Sequence, residues 1–272
     1  MNHFKGKIAI VTGAGSGIGA ALSRELGHRG TQVVCSDVVG EAAHAVAQEI
    51  NAAGGLASAL ATDVTYASQV ANLVASTVQT HGRVDLMFNN AGISVAGDAR
   101  DLTLDHWRSV IEVNLMGVIY GTDAAYKQMA KQGHGHIINI ASLAGLIPFP
   151  SNAPYAASKH AVVGLSLSLR AEGEDLGVKV SAVCPGFIQS NIYKATPFIN
   201  VDRERALRNM PFTPLATERA AAAILRGIER NQAIIIFPGY ARFIWVLHRL
   251  CTRWLNPLHR KGIRDLRKLR LS

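Results

Sequence analysis

Tyr155 and Lys159 stand four residues apart in a stretch of helical periodicity, which sets a phenol and an ammonium on one helix face. A free tyrosine ionises near pH 10 and is a poor base at neutral pH, whereas an adjacent cation favours the phenolate and lowers that value. The expectation is that Lys159 makes Tyr155 a usable proton donor and acceptor. Ser142, thirteen positions before Tyr155, adds a hydroxyl at the end of an apolar run. An isolated Tyr-x-x-x-Lys pair is more often a surface pair than a reacting one, so the reading depends on its company.

Thr12-Gly13-Ala14-Gly15-Ser16-Gly17-Ile18-Gly19 joins the first apolar run directly to the first helical pattern. Glycines allow positive φ in a tight turn and let backbone approach a pyrophosphate. A helix N-terminus presents free N–H groups and a positive dipole end. The spacing is G-x-x-x-G-x-G rather than the commoner G-x-G-x-x-G, and by itself such a turn is also compatible with a plain connection. Asp37 lies eighteen positions beyond Gly19, at the end of the second run. A carboxylate there accepts hydrogen bonds from adenosine ribose hydroxyls and repels a 2′-phosphate; alone it is equally a solvated strand end. With no Lys or Arg at Ala14, Ser16 or Val38 to pair with such a phosphate, the expected cofactor is NAD(H). Asn89-Asn90-Ala91-Gly92 follows the fourth run.

These residues need a scaffold. Apolar β-branched runs at 7–11, 32–36, 57–61, 84–88, 136–140, 179–183 and 233–237 alternate with amphipathic stretches near 18–29, 41–53, 67–81, 104–131, 155–176 and 217–230. Such alternation, with strands apolar on both faces, implies an α/β fold: a single doubly wound Rossmann-type domain with a parallel seven-stranded sheet. The candidate groups then fall at strand C-terminal ends, where open α/β sheets bind ligands. No repeat or linker divides residues 1–239. A Pro-rich connection near 186–214 and a basic helical extension at 240–272 fall outside the alternation.

In this combination the chain resembles the short-chain dehydrogenase/reductase family. The resemblance rests on residues 12–19 (TGAGSGIG), Asp63-Val64, residues 89–92 (NNAG), Asn114, Ser142, Tyr155-Ala-Ala-Ser-Lys159 and Pro185-Gly186, in the family's order from residue 7 to about 190. It implies an oxidoreductase acting on CH–OH groups, with Tyr155 as general acid/base and Ser142 orienting the substrate oxygen. Lys159 would also bind the nicotinamide ribose, and Asn114 would hold a water that links Lys159 to solvent. Implied cofactor contacts begin with the turn itself: Gly13, Gly15, Ser16, Gly17, Ile18 and Gly19. Asp37 belongs to the ribose, Asp63 and Val64 to the adenine, and Asn90, Ala91 and Gly92 to the adenosine side. Pro185, Gly186 and Ile188 approach the carboxamide, with Ser190 where the family often has Thr. Homodimers or homotetramers are also implied, through the helix of Tyr155 and its 104–131 neighbour. The competing class is a sensor or scaffold that binds NAD without chemistry. Such members lose Tyr, Lys or Ser first, and all three are present.

The connection near 186–214 carries Phe187, Ile192, Tyr193, Pro197, Phe198, Ile199, Met210, Pro211 and Phe212, with Ile93, Val95, Leu143 and Phe149 expected to face it. An apolar lid of this kind suits a lipophilic secondary alcohol or ketone, steroid-like, aryl or long-chain. Residues that merely seal the lid, and a polyol or 3-oxoacyl substrate, stay open. The 28 basic and 19 acidic residues give a net charge of +9. Nine basic residues and one acid lie within 240–272, so that tail carries +8 and the preceding 239 residues +1. Nucleic acid is therefore not an expected partner. Within the tail, Phe243, Leu247, Leu250 and Trp254 recur at helical spacing beside Arg242, Arg249 and Arg253, a pattern that suits docking on protein or peripheral contact with a membrane surface. Cys35, Cys184 and Cys251 have neither disulfide-framework nor metal-ligand spacing, so no metal and a reduced, cytoplasmic setting are expected. The apolar run at 8–11 is too short for a secretory signal.

Overall fold

The computed structural model describes residues 3–208 and 212–271. The apolar runs form strands β1 (Ile8–Thr12), β2 (Gln32–Asp37), β3 (Leu56–Ala61), β4 (Leu86–Asn89), β6 (Gly135–Ile140), β7 (Val178–Pro185) and β9 (Ile234–Phe237). They make one parallel seven-stranded sheet in the order β3-β2-β1-β4-β6-β7-β9. Two-residue strands β5 (Ala96–Gly97) and β8 (Phe198–Ile199) pair separately, in parallel. The chain winds outward from β1 to β3 and then returns to place β4 beside β1. That reversal splays the connections apart and opens a crevice at the C-terminal ends of β1 and β4.

Both faces of the sheet are covered, which is why the central strands are apolar without alternation. On one face Ala9 and Val11 of β1 meet Leu22 and Leu26 of α1 (Gly17–His28), Val46 and Ile50 of α2 (Gly40–Ala52), and Ile224 and Leu225 of α9 (Thr217–Glu229). On the other, Ile10 meets Leu73 and Val74 of α3 (Ala67–His81) and Met129 of α5 (Gly117–Gln132), while Val162 and Val163 of α6 (Ala153–Glu172) cover Ala182 and Cys184. Edge strand β3 departs from the expectation of two apolar faces: it pairs only with β2, and Leu56 is exposed.

The stretch expected as one helix over 104–131 is divided. Helix α4 (Leu104–Ile111) runs into a π-helical turn, Glu112–Met116, before α5. The wider turn carries fully buried Asn114; such turns occur often at functional sites. The connection expected as a lid contains α7 (Ile192–Ala195), β8 and α8 (Arg203–Arg208). Met210 and Pro211 lie outside the described residues.

After β9 the tail forms α10 (Gly239–Leu250), a 3-10 turn at Thr252–Leu255 and α11 (Asn256–Lys268). It lies against the domain: Ala241 and Leu255 are buried with Leu143 and Ile147, and Ile244, Trp245 and Leu247 pack beside them. The stripe read from spacing is thereby split, with Leu247 facing the domain and Phe243, Leu250 and Trp254 facing out. No described helix is long and apolar enough to cross a membrane.

Candidate active site

Strand β1 ends at Thr12, and the glycine turn then reverses the chain into α1. Gly13 has φ +64°, and a Cβ there would sit 2.8 Å from Ala91 Cα, so a side chain is excluded twice over. The turn is held from β4: Asn90 Nδ2 donates to the Thr12 and Gly13 carbonyls at 2.9 and 3.1 Å. The Thr12 hydroxyl accepts from the Asn90 and Ala91 amides at 3.0 and 3.2 Å. Asn90 was expected to line the adenosine side; it borders the cavity, but its amide is committed to the turn. Gly15 and Gly19 do not border the cavity. Gly15 packs under Ala42 and Asp37, and Gly19 lies against the Gly13 carbonyl, so both serve the turn's close packing. Ser16 occupies the N-cap of α1 without a side-chain cap bond, and the first turn holds no acid. A free helix N-terminus facing a crevice suits an anion.

Asp37 ends β2 beside this turn. Its carboxylate accepts from the Gly15 amide at 2.9 Å and the Val39 amide at 3.0 Å, which fixes it at the cavity wall. Among the described residues no Lys or Arg borders the cavity beside Asp37 and Val38. Asp63 and Val64 line the same end; the Asp63 carboxylate also accepts from the Thr65 amide and hydroxyl at 2.9 and 2.7 Å. A glycine cradle closed to side chains, an uncapped helix end and a fixed carboxylate without a neighbouring cation fit a dinucleotide lacking a 2′-phosphate.

The proton-handling groups converge next to it. Ser142 follows β6 and its hydroxyl accepts from the Ala144 amide at 3.1 Å. Tyr155 enters from the first turn of α6, where Pro154 suits the helix start, and borders the cavity beside Ser142. Lys159 Nζ lies 5.5 Å from the centroid of the Tyr155 ring and donates to the Ile140 carbonyl at 2.7 Å. Behind them Asn114 clamps Ile93, accepting from its amide at 2.8 Å and donating to its carbonyl at 2.9 Å. Asn114 itself does not border the cavity; a Cβ on Gly92 would lie 3.3 Å from its Oδ1 and 3.6 Å from Lys159 Nζ.

The electrostatics differ from the expectation that Lys159 lowers the phenol's pKa. Burial pushes the Tyr155 phenol up, and the hydrogen bond from Ser142 opposes it. Burial likewise pushes Lys159 down to about 8. A low-dielectric site disfavours both charges, so the phenol keeps the proton it would donate.

Pro185 ends β7 and Gly186 donates to the Phe237 carbonyl at 2.8 Å. A Cβ on Gly186 would lie 2.9 Å from Tyr240 Cζ, which requires glycine here. Buried Ile188 accepts from the Ser190 amide at 2.8 Å.

One cavity of about 1590 Å³ joins these parts. It runs from Gly13 and Asp37 past Ser142, Tyr155 and Lys159 to a chamber walled by Ile147, Phe149, Phe187, Ile192 and Phe212. Pockets for drug-sized ligands measure roughly 300–1,000 Å³, so this volume suits a dinucleotide together with a substrate. The far wall comes from the tail: Ile244, Leu255, Leu258, Leu266 and Leu269. Sequence reasoning did not place the tail in the site, although Tyr240 was within reach as a signal. Its hydroxyl accepts from the Phe187 amide at 2.7 Å and its ring stacks on Phe212 at 4.0 Å.

The chain is similar to known proteins in sequence and fold. The family model described as short chain dehydrogenase matches residues 7–197. A 3-oxoacyl-[acyl-carrier-protein] reductase of Synechocystis sp. is 35% identical over 240 residues, covering 88% of this chain and 95% of that protein. A cyclohexanol dehydrogenase of Acinetobacter sp. is 39% identical over 190 residues, covering 70% and 76%. Among solved structures, a short chain dehydrogenase/reductase from Burkholderia phymatum in complex with NAD superposes with a TM-score of 0.84 at 30% identity, covering 93% of this chain and 96% of that one. With the family model matched over residues 7–197 and these relatives covered over most of their length, the chain belongs to the short-chain dehydrogenase/reductase family.

Proposed function

We propose that this protein is an NAD(H)-dependent oxidoreductase that interconverts a lipophilic secondary alcohol and its ketone. The observation that carries this reading is the continuity of one cavity, from the Asp37 end, past Tyr155, into an apolar chamber. Bound nicotinamide supplies or accepts the hydride. Ser142 and Tyr155 line the same part of the cavity, and both hydroxyls are available to a single oxygen of the substrate. In reduction Tyr155 gives its proton to that oxygen as negative charge develops there; in oxidation it takes the proton from the hydroxyl. Lys159, held against the Ile140 carbonyl, places positive charge beside the ring when protonated and stabilises the phenolate left behind. Asn114 keeps Ile93 and Gly92 in place next to Lys159.

The predominantly apolar walls favour a steroid-like, aryl or long-chain substrate over a polyol, because they gain more from burying apolar surface than from meeting a dense set of hydroxyls. Asp37 supports NAD over NADP through repulsion of the 2′-phosphate. Screening NAD reduction with secondary alcohols from sugars to hydroxysteroids tests the substrate class, and comparing KM for NADH and NADPH tests the cofactor. Turnover confined to sugars, or a lower KM for NADPH, refutes the corresponding half. We also infer self-association through α4, α5 and α6, on whose surfaces Leu104 and Leu167 are exposed; sedimentation equilibrium showing a monomer at micromolar concentration excludes it.

A further inference from the structure

The side of α10 turned away from the domain has an unusual composition. Phe243, Val246 and Leu250 are 68%, 42% and 72% exposed, and Trp254 in the following turn is 57% exposed. At 100° per residue, positions 243, 246 and 250 fall on one arc of the helix, bordered by exposed Arg242 and Arg249. Arg253 is exposed in the turn beside Trp254. Between Gly239 and Arg264 the chain has no acidic residue. None of Phe243, Val246, Leu250 and Trp254 borders the cavity or belongs to a core cluster. The opposite arc of the same helix is already occupied, by Leu143 and Ile147 through Ala241. Docking on the domain therefore leaves a second apolar arc outside the described core, edged along one side by Arg242 and Arg249.

We propose that this arc lies on an anionic membrane surface. Aromatic and aliphatic side chains on one face with arginines at its border match the boundary between acyl chains and negatively charged headgroups. A second copy of the chain fits poorly. A two-fold contact would bring the arc's own arginines against each other, with no acid nearby to pair them. A protein partner would have to supply an apolar surface ringed by acids, whereas an anionic bilayer offers both features everywhere.

The cavity also reaches the tail. Leu258 is 58% exposed and also lines the cavity, together with Ile244 and Leu255 of the same tail. Ile244, Leu255 and Leu258 thus form an apolar wall on the tail side of the cavity, with Leu258 also open to solvent. A molecule dissolved in the bilayer would reach the site along that wall. This last step rests on the lipophilic-substrate reading; the membrane contact does not, and vesicle binding is measured without turnover, so either can fail alone.

The test is co-sedimentation of the full chain with vesicles of phosphatidylserine and phosphatidylcholine in equal parts, against phosphatidylcholine alone. The chain should pellet with the anionic vesicles, more weakly with the neutral ones, and less as salt rises. Each arginine near an anionic surface changes partitioning about fivefold, so Arg242→Gln/Arg249→Gln/Arg253→Gln should weaken binding about a hundredfold. Phe243→Ser/Leu250→Ser/Trp254→Ser should abolish pelleting while leaving the melting temperature unchanged, since all three side chains already face solvent. Failure of the wild-type chain to pellet, equal binding to neutral vesicles, or undiminished binding by the serine variant overturns the proposal. So does a serine variant that turns a dimer into a monomer without altering vesicle binding.

Discussion

The end of the tail is fastened to the domain by two ion pairs and by backbone bonds from Asp202 N–H to the Leu269 carbonyl (2.9 Å) and from Leu271 N–H to the Asn200 carbonyl (3.0 Å), and removal of the ion pairs should loosen α11 while leaving α10 in place. Arg267 reaches Asp98 at 2.7 Å and Arg270 reaches Asp101 at 2.6 Å. Both carboxylates are 7% accessible, but the guanidiniums are 49% and 41% accessible, so each pair is discounted for solvent screening to about 1 kcal/mol. The Arg100 bond to Asp98 is local and adds nothing to docking. Arg267→Gln/Arg270→Gln therefore costs about 2 kcal/mol, a roughly 30-fold rise in the undocked population of α11. Hydrogen exchange reads this directly: amides of 256–271 should exchange about 30-fold faster, while α10, held by Ala241, Ile244 and Leu247, changes little. Salt near 1 M, where the Debye length is about 3 Å, should act in the same direction. Arg100 first, and then Arg267, hold Asp98 well below the usual carboxylate range. A depressed carboxylate contributes stability above its unfolded value near 4 and loses it only as pH falls through the folded value, so exchange should show no added pH response of the latch between about 6 and 9. Unchanged exchange in the double variant, or equal acceleration in α10 and α11, refutes the assignment of docking to these pairs.

Tyr155→Phe should abolish turnover and leave NADH binding, followed by fluorescence titration, nearly intact, because the ring still packs and only the transferable proton is gone; more than a few per cent of kcat would remove Tyr155 from its role. Asn90→Ala loses two hydrogen bonds to the glycine turn and should cost about 1–3 kcal/mol in a urea melt while raising the KM for the dinucleotide. His136 is buried, and burial pushes it from 6.5 down to about 3. Between those values the unfolded chain binds a proton that the folded chain refuses, so stability is whole above pH 6.5 and falls by about 1.4 kcal/mol per unit below it. Urea midpoints for His136→Gln should lack that part of the slope.

Much of the site was legible because its chemistry depends on spacing along one element. Tyr155 and Lys159 share a face of α6 by the four-residue period, and Ser142 and Asp37 fall at strand ends that apolar runs delimit. The seven sheet strands appeared within a residue or two of their runs. Features that depend on distant partners were not legible. The 78-residue separation between Asn90 and Thr12 hides the bond that fastens the glycine turn. Burial, which has no linear signal at a single tyrosine, reversed the expected direction of the Tyr155 pKa. The π-turn at Glu112–Met116 carries no residue type that marks it, yet it positions Asn114.

The tail shows the same limit in sharper form. Residues 243, 247, 250 and 254 have helical spacing, and so do 241, 244 and 248 on the neighbouring arc. Along α10 apolar residues cover more than one face, and a periodic pattern then has no unique inward side; whichever surface the helix meets decides it. Here Tyr240 determines the choice. Its hydroxyl accepts from the Phe187 amide and its ring stacks on Phe212, which turns Ala241 and Ile244 toward the domain and rotates Phe243, Val246 and Leu250 outward. Tyr240→Ala should remove that rotational lock, and the exposure of Trp245 to a fluorescence quencher should rise. If quenching of Trp245 stays as in the wild type, the inner arc is set by Ala241 and Ile244 alone and the anchoring role of Tyr240 is wrong.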